Sequence, residues 1–179
     1  ERLAELWNGR DRGTGYWLLL VCRLCICLVI AVQTGYDLRL AVTDEIRCRE
    51  DEQKTQQLLE RFAGADGGKL LQLPVVFVGY QEADLPEWCR RTEMYGWSFY
   101  GWDYSMENPT GATHRICGFV QAYTGNVLRE DATEEQKRHA VELAGQMKDF
   151  PEEGSVLVTE DCVVVRLSEV KEQMPTDWW

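Results

Sequence analysis

The stretch YWLLLVCRLCICLVIAV, residues 16–32, decides how the rest of the chain is read, because it holds one charge, Arg23, among 17 residues. A helix needs about 20 predominantly apolar residues to cross a bilayer, with a lower limit of about 17. Continuing to Tyr36 adds Gln33, Thr34 and Gly35 and places Tyr16 and Trp17 at one end and Tyr36 at the other, as an aromatic belt would. A central arginine costs about 2.5–3.5 kcal/mol on insertion scales. The surrounding Leu, Val and Ile return about 0.3–0.6 kcal/mol each, which offsets it. The stretch therefore reads as a transmembrane helix over about 16–36, with Arg23 facing other transmembrane helices or snorkelling. The rival reading is a core helix of a soluble body. A secretory signal is disfavoured, because no initiator Met is present, the apolar run is long and no small-x-small site follows it. Glu1 at the start suggests a piece of a longer protein.

Orientation is balanced. Arg2, Arg10 and Arg12 precede the span and Arg39, Arg47 and Arg49 follow it, and only the closeness of Arg10 and Arg12 leans toward a cytoplasmic N-terminal side. The whole chain has 179 residues, 45% hydrophobic and 27% charged, which excludes collagen-like, low-complexity and wholly disordered readings. Its net charge of −11 argues against nucleic acid as a partner. That acidity belongs almost entirely to residues 37–179.

The chain is expected to divide into four segments: the N-terminal segment with the span over 1–36, a charged linker helix over 37–66, a small extracytoplasmic α/β domain over 67–170 and a polar, then aromatic, tail over 171–179. Thr55, Leu58, Leu59 and Phe62 fall on one helix face, and Gly64 with Gly67-Gly68 stops it. LPVVFVGY (73–80) is a continuous apolar run fitting a strand covered on both faces. Residues 81–108 carry turn signals and no strong period. Asn108-Pro109 reads as an N-cap and first helical residue, followed by a stripe of Ile116, Phe119, Val120 and Tyr123 that Gly125 closes. Thr133 to Gln136 is a capping box. It opens a helix with Ala140, Leu143, Ala144 and Met147 on its buried face and Lys148 in its last turn. After Pro151 and Gly154, residues 155–159 and 162–167 read as a hairpin turning at Glu160-Asp161. The expected fold class is α/β: one N-terminal transmembrane helix, then a small mixed sheet with packed helices.

Recognisable chemistry is sparse. Cys22, Cys25 and Cys27 lie in the apolar span and read as small apolar residues, with no metal implied. Cys48, Cys89, Cys117 and Cys162 allow two disulfides in any of three connectivities, or ordinary thiols. No phosphate loop, nucleophile elbow or dinucleotide fingerprint is present, so no cofactor is expected. His114-Arg115 near a helix start could bind an anion, or be a solvated pair. The richest segment is YGWSFYGWDYSMENPTGATHR (95–115). Aromatic faces beside a carboxylate can hold a sugar, the ring stacking on C–H groups while the acid accepts hydroxyls. The candidate substrate-binding residues are Trp97, Trp102, Asp103, Tyr104, His114 and Arg115. The bland reading is that these aromatics plug a small core and Asp103 caps a turn.

Several ordered blocks resemble the C-terminal region of bacterial polytopic membrane glucosyltransferases of the O-antigen-modifying kind. They are the apolar span, TDEIRCREDEQKTQQLLERF (43–62), LPVVFVGY, YGWSFYGWDY (95–104), THRICGFVQAYTG (113–125) and MKDFPEEGSVLVTEDCVVVRLSE (147–169). The resemblance covers residues 16–169 and implies a last membrane helix, a charged linker helix and a compact extracytoplasmic domain. It implies a parent enzyme that moves a sugar from a polyprenyl-phosphate carrier onto a surface polysaccharide or lipid in the bacterial cell membrane. The catalytic acids of such enzymes are expected in an early loop that these residues do not include, so no catalytic residue is carried over. The expectation is thus an accessory extracytoplasmic domain that positions a glycan acceptor or braces the membrane domain, with membrane lipid and other transmembrane helices as its partners. The alternative is a stand-alone single-pass protein-interaction domain without catalytic activity.

Overall fold

The computed structural model describes residues 12–64, 72–90 and 98–170. Trp97, Gly67-Gly68, Arg2, Arg10 and the tail 171–179 lie outside the described residues. Contacts divide the chain into two units, Glu1–Val42 and Thr43–Trp179.

The first unit is the leading part of helix α1, which runs from Arg12 to Gly64. Apart from half-covered Leu20, its apolar side chains from Tyr16 to Leu38 are exposed, Leu18 to 62% and Leu28 to 66%. It is long and apolar enough to cross a membrane, and none of its most apolar stretch is buried. Those side chains are not packed as a soluble core helix packs its own.

In the second unit α1 continues, and its residues 43–64 turn one face to the core. Asp51, Thr55, Leu58 and Phe62 recur at helical spacing and are all buried, with Leu59 partly covered beside them. Strand β1 (Val75–Val78) follows, then a one-turn helix α2 (Glu87–Arg90), α3 (Ala112–Thr124), α4 (Glu134–Ala144), β2 (Val156–Val158) and β3 (Val163–Arg166). The strands form one mixed sheet in the order β1-β3-β2. β1 runs parallel to β3 with Val75 opposite Val163, and β2 runs antiparallel to β3 with Val156 opposite Val165. The fold is α/β.

Alternation along β1 and β3 makes two apolar layers, since successive side chains point to opposite faces. Val75, Phe77, Val163 and Val165 pack with Leu58 and Phe62 of α1 and with Ile116, Cys117 and Val120 of α3. Val76, Val78 and Val164 pack on the other face against Ala140 and Ala144 of α4. Burial on both faces is why both strands are almost pure valine, at about 1.5–3 kcal/mol for each fully buried side chain.

The capping box is present: the Gln136 amide donates to Thr133 Oγ1 at 3.3 Å and the Thr133 amide to Gln136 Oε1 at 2.8 Å. The hairpin turns without glycine because Thr159 closes it with its side chain, accepting from the Asp161 and Cys162 amides at 3.3 and 3.0 Å. Two helix ends differ from expectation. Helix α3 begins at Ala112, not at Pro109, because Asn108 exchanges backbone bonds with Ser105 and the Pro109 carbonyl accepts the Gly79 amide at 2.9 Å. Lys148 falls beyond the end of α4 at Ala144 and pairs with Glu152 at 3.6 Å. The capping role at that end goes to Arg166, which donates to the Ala144 and Met147 carbonyls at 2.8 and 2.7 Å.

Candidate functional site

The loop from Ser98 to Tyr104 is held by α1. The Asp51 carboxylate, wholly buried, accepts the Ser98 hydroxyl at 2.5 Å and the Phe99 amide at 3.0 Å. Burial raises the Asp51 pKa above the ordinary carboxylate value, although these two bonds and nearby Lys54 and Arg47 pull it the other way. One turn on, Thr55 Oγ1 lies 2.9 Å from the Tyr100 hydroxyl. Lys54 sits over the Tyr100 ring, 5.8 Å from its centroid, and donates to the Glu82 carbonyl at 2.7 Å. Burial lowers the Lys54 pKa and raises that of Tyr100. Tyr100 and Tyr104 are both buried, so these two rings plug the body, and Tyr104 packs on Tyr80 with centroids 4.7 Å apart.

Between the two tyrosines the loop turns outward. The Gly101 and Trp102 amides both donate to the Ser98 carbonyl at 3.0 Å, and Asp103 adopts a left-handed φ of 67°. Gly111 makes this turn possible, because a Cβ there would lie 1.8 Å from the Asp103 carbonyl oxygen. Arg115, in the first turns of α3, donates through Nε to Asp103 Oδ2 at 2.7 Å and lies 4.7 Å from the centroid of the Trp102 ring. Trp102, Asp103 and Arg115 thus form one surface cluster. Both members of the ion pair are close to half exposed, so the pair contributes about 0.2–1 kcal/mol and the cation over the indole a similar amount.

The neighbouring rings turn toward one another. Phe99 stacks on Phe119 at 4.5 Å and 14°, Phe119 lies parallel to Tyr123 at 5.9 Å, and Phe99 meets Trp102 at 6.3 Å. His114 points away from the cluster and bonds Glu130 through Nδ1 at 2.7 Å. Of the residues expected at a site, Trp102, Asp103 and Arg115 come together, Tyr104 is buried and His114 stands apart. Arg115 and His114 each already face a carboxylate, which leaves less of either side chain for an external anion.

The buried group of Asp51, Thr55, Ser98 and Tyr100, with half-buried Lys54 beside it, has no counterpart among the expected site residues. Asp51 precedes Thr55 by one helical turn, so its place on the apolar face was readable, but its loop partner was not. Cys48, Cys117 and Cys162 are free thiols, and burial pushes the Cys117 thiol up to about 12, which makes it inert at neutral pH. Among the described residues no three His, Cys, Asp or Glu side chains gather as a metal set. No family model, curated protein or solved structure matches the chain.

Proposed function

We propose that the chain is a membrane-anchored accessory module of a glycosyl-transfer system, in which residues 16–36 span the bilayer and the α/β body contacts a glycan through Trp102, Asp103 and Arg115. The observation that carries the reading is the exposed apolar length of α1. In water that surface is far larger than the few hundred Å² a soluble monomer leaves uncovered, whereas in lipid it is matched to its solvent. Arg23 then faces other transmembrane helices of the parent enzyme.

The glycan half is supported by the chemistry of the cluster. A carboxylate has about four acceptor sites, and the Arg115 bond at Asp103 uses one of them. Sugar hydroxyls can take the others, while Arg115 has further N–H donors and Trp102 a ring edge and outer face. The extracytoplasmic side and a polyprenyl-linked or surface glycan follow from the resemblance to membrane glucosyltransferases.

Alkaline carbonate extraction of the full chain tests the anchor. It is expected in the membrane pellet, with Leu24→Arg/Val29→Arg released into the wash. Recovery of the unaltered chain in the wash overturns the reading. Saturation-transfer NMR of the detergent-solubilised chain with surface-polysaccharide oligosaccharides tests the contact. Signal is expected from the unaltered chain and lost in Trp102→Ala and Arg115→Ala, and its absence from the unaltered chain removes the glycan half.

A further inference from the structure

The two edges of the sheet are finished differently. Along the outer side of β1 every alternate amide is taken: Val75 donates to the Arg129 carbonyl at 2.7 Å, Phe77 to Thr113 Oγ1 at 3.1 Å and Gly79 to the Pro109 carbonyl at 2.9 Å. Along β2 the ladder to β3 uses Ser155, whose carbonyl accepts from Arg166 at 2.9 Å, and Thr159, whose amide donates to Cys162 at 2.9 Å. With the register Val156–Val165 and Val158–Val163, the period-two alternation of an antiparallel ladder turns the N–H and C=O groups of Val156 and Val158 away from the sheet. The side chains are apolar; Val156 packs partly on the core, while Leu157 and Val158 stay 38% and 37% exposed. Exposed acids bracket them, with Glu152 and Glu153 before and Glu160 and Asp161 after. Glu152 is partly neutralised by Lys148.

We propose that the outer edge of β2 is a docking edge for an extended segment of another protein, apolar at its centre and basic on its flanks, which adds a fourth strand to the sheet. Backbone bonds from Val156 and Val158 give the register, and the apolar side chains of β2 meet those of the added strand. The flanking acids choose the occupant. A second copy pairing antiparallel on this edge would set Glu153 against Glu160 and Asp161, which like-charge repulsion disfavours, while lysines or arginines at those places complement them. This surface lies apart from the Trp102 cluster and does not depend on the glycan reading.

The probe is a synthetic peptide with a Val-Thr-Val centre and lysines on either side, measured by fluorescence anisotropy against the full chain in detergent, with hydrogen exchange followed at β2. Binding is expected to slow exchange at the Val156 and Val158 amides, and a peptide with glutamates in place of the lysines is expected not to bind. Val158→Pro removes an outward-facing N–H and leaves the bonds to β3 in place, so its thermal unfolding is expected to stay near that of the unaltered chain while peptide affinity falls at least about tenfold. Glu153→Lys/Glu160→Lys, which does not touch the backbone, is expected to exchange the preference to the acidic peptide. No binding of the lysine peptide, equal binding of both peptides, or slowed exchange elsewhere overturns the proposal. Concentration-dependent dimerisation that itself protects Val156 and Val158 overturns it in favour of a second copy.

Discussion

Asp51 illustrates how one side chain couples a helix to a loop. Its two oxygens bond Ser98 and Phe99, so Asp51→Ala leaves one buried and one part-buried donor without an acceptor and is expected to cost about 2–4 kcal/mol in urea unfolding. Asp51→Asn keeps one acceptor and removes the buried charge, so its behaviour with pH separates the two effects. Because the folded pKa is raised by burial, the folded state keeps its proton to a higher pH than the unfolded chain does. Stability from this group is therefore greatest below the ordinary carboxylate value and declines as pH rises through the raised one. Paired melts between about pH 4 and pH 7 are expected to show the natural chain losing ground to Asp51→Asn as pH increases. A gap that stays constant across that range would remove the burial argument. Trp102, Asp103 and Arg115 were nameable from the sequence because aromatic and charged residues cluster there. Their mutual contacts were not, since they depend on a left-handed Asp103 and on where α3 begins.

At the scale of elements, what was legible followed local rules. The stripe of Thr55, Leu58 and Phe62, the valine run of β1, the Thr133 capping box and the hairpin at Glu160-Asp161 each follow from periodicity or a short-range bond. The start of α3 was not legible, because Pro109 is drawn off by a bond to Gly79, thirty positions earlier in the chain. The parallel pairing of β1 with β3 likewise has no local signature. Gly111 sits where the backbone before α3 passes close against the Asp103 turn. Gly111→Ala is expected to displace the Asp103 carbonyl, breaking the Arg115 bond and costing about 1–3 kcal/mol. A thermal midpoint unchanged by this substitution, with Trp102 fluorescence also unchanged, would show that the turn accommodates the methyl group.

At the scale of the whole chain, one uninterrupted helix contains both the apolar length and the Leu58–Phe62 face of the α/β unit. The apolar length was legible because composition alone reveals it. The division between Val42 and Thr43 was not, since residues 43–64 look equally charged whether they link or pack. The sheet depends on its last strand: β3 is central and holds both β1 and β2. A chain ending at Asp161 is expected to lose slow amide exchange in β1 and α4 as well, and persistence of that protection would show that α1 and α3 support β1 unaided.

The central place of β3 also fixes a timetable. During translation the apolar length of α1 leaves the ribosome long before Val163–Arg166 is made, so the segments between them wait for the strand that unites the sheet. Until that late strand arrives, β1 has only α1 and α3 to pack on, and the apolar faces that β3 later covers are open to non-native contacts.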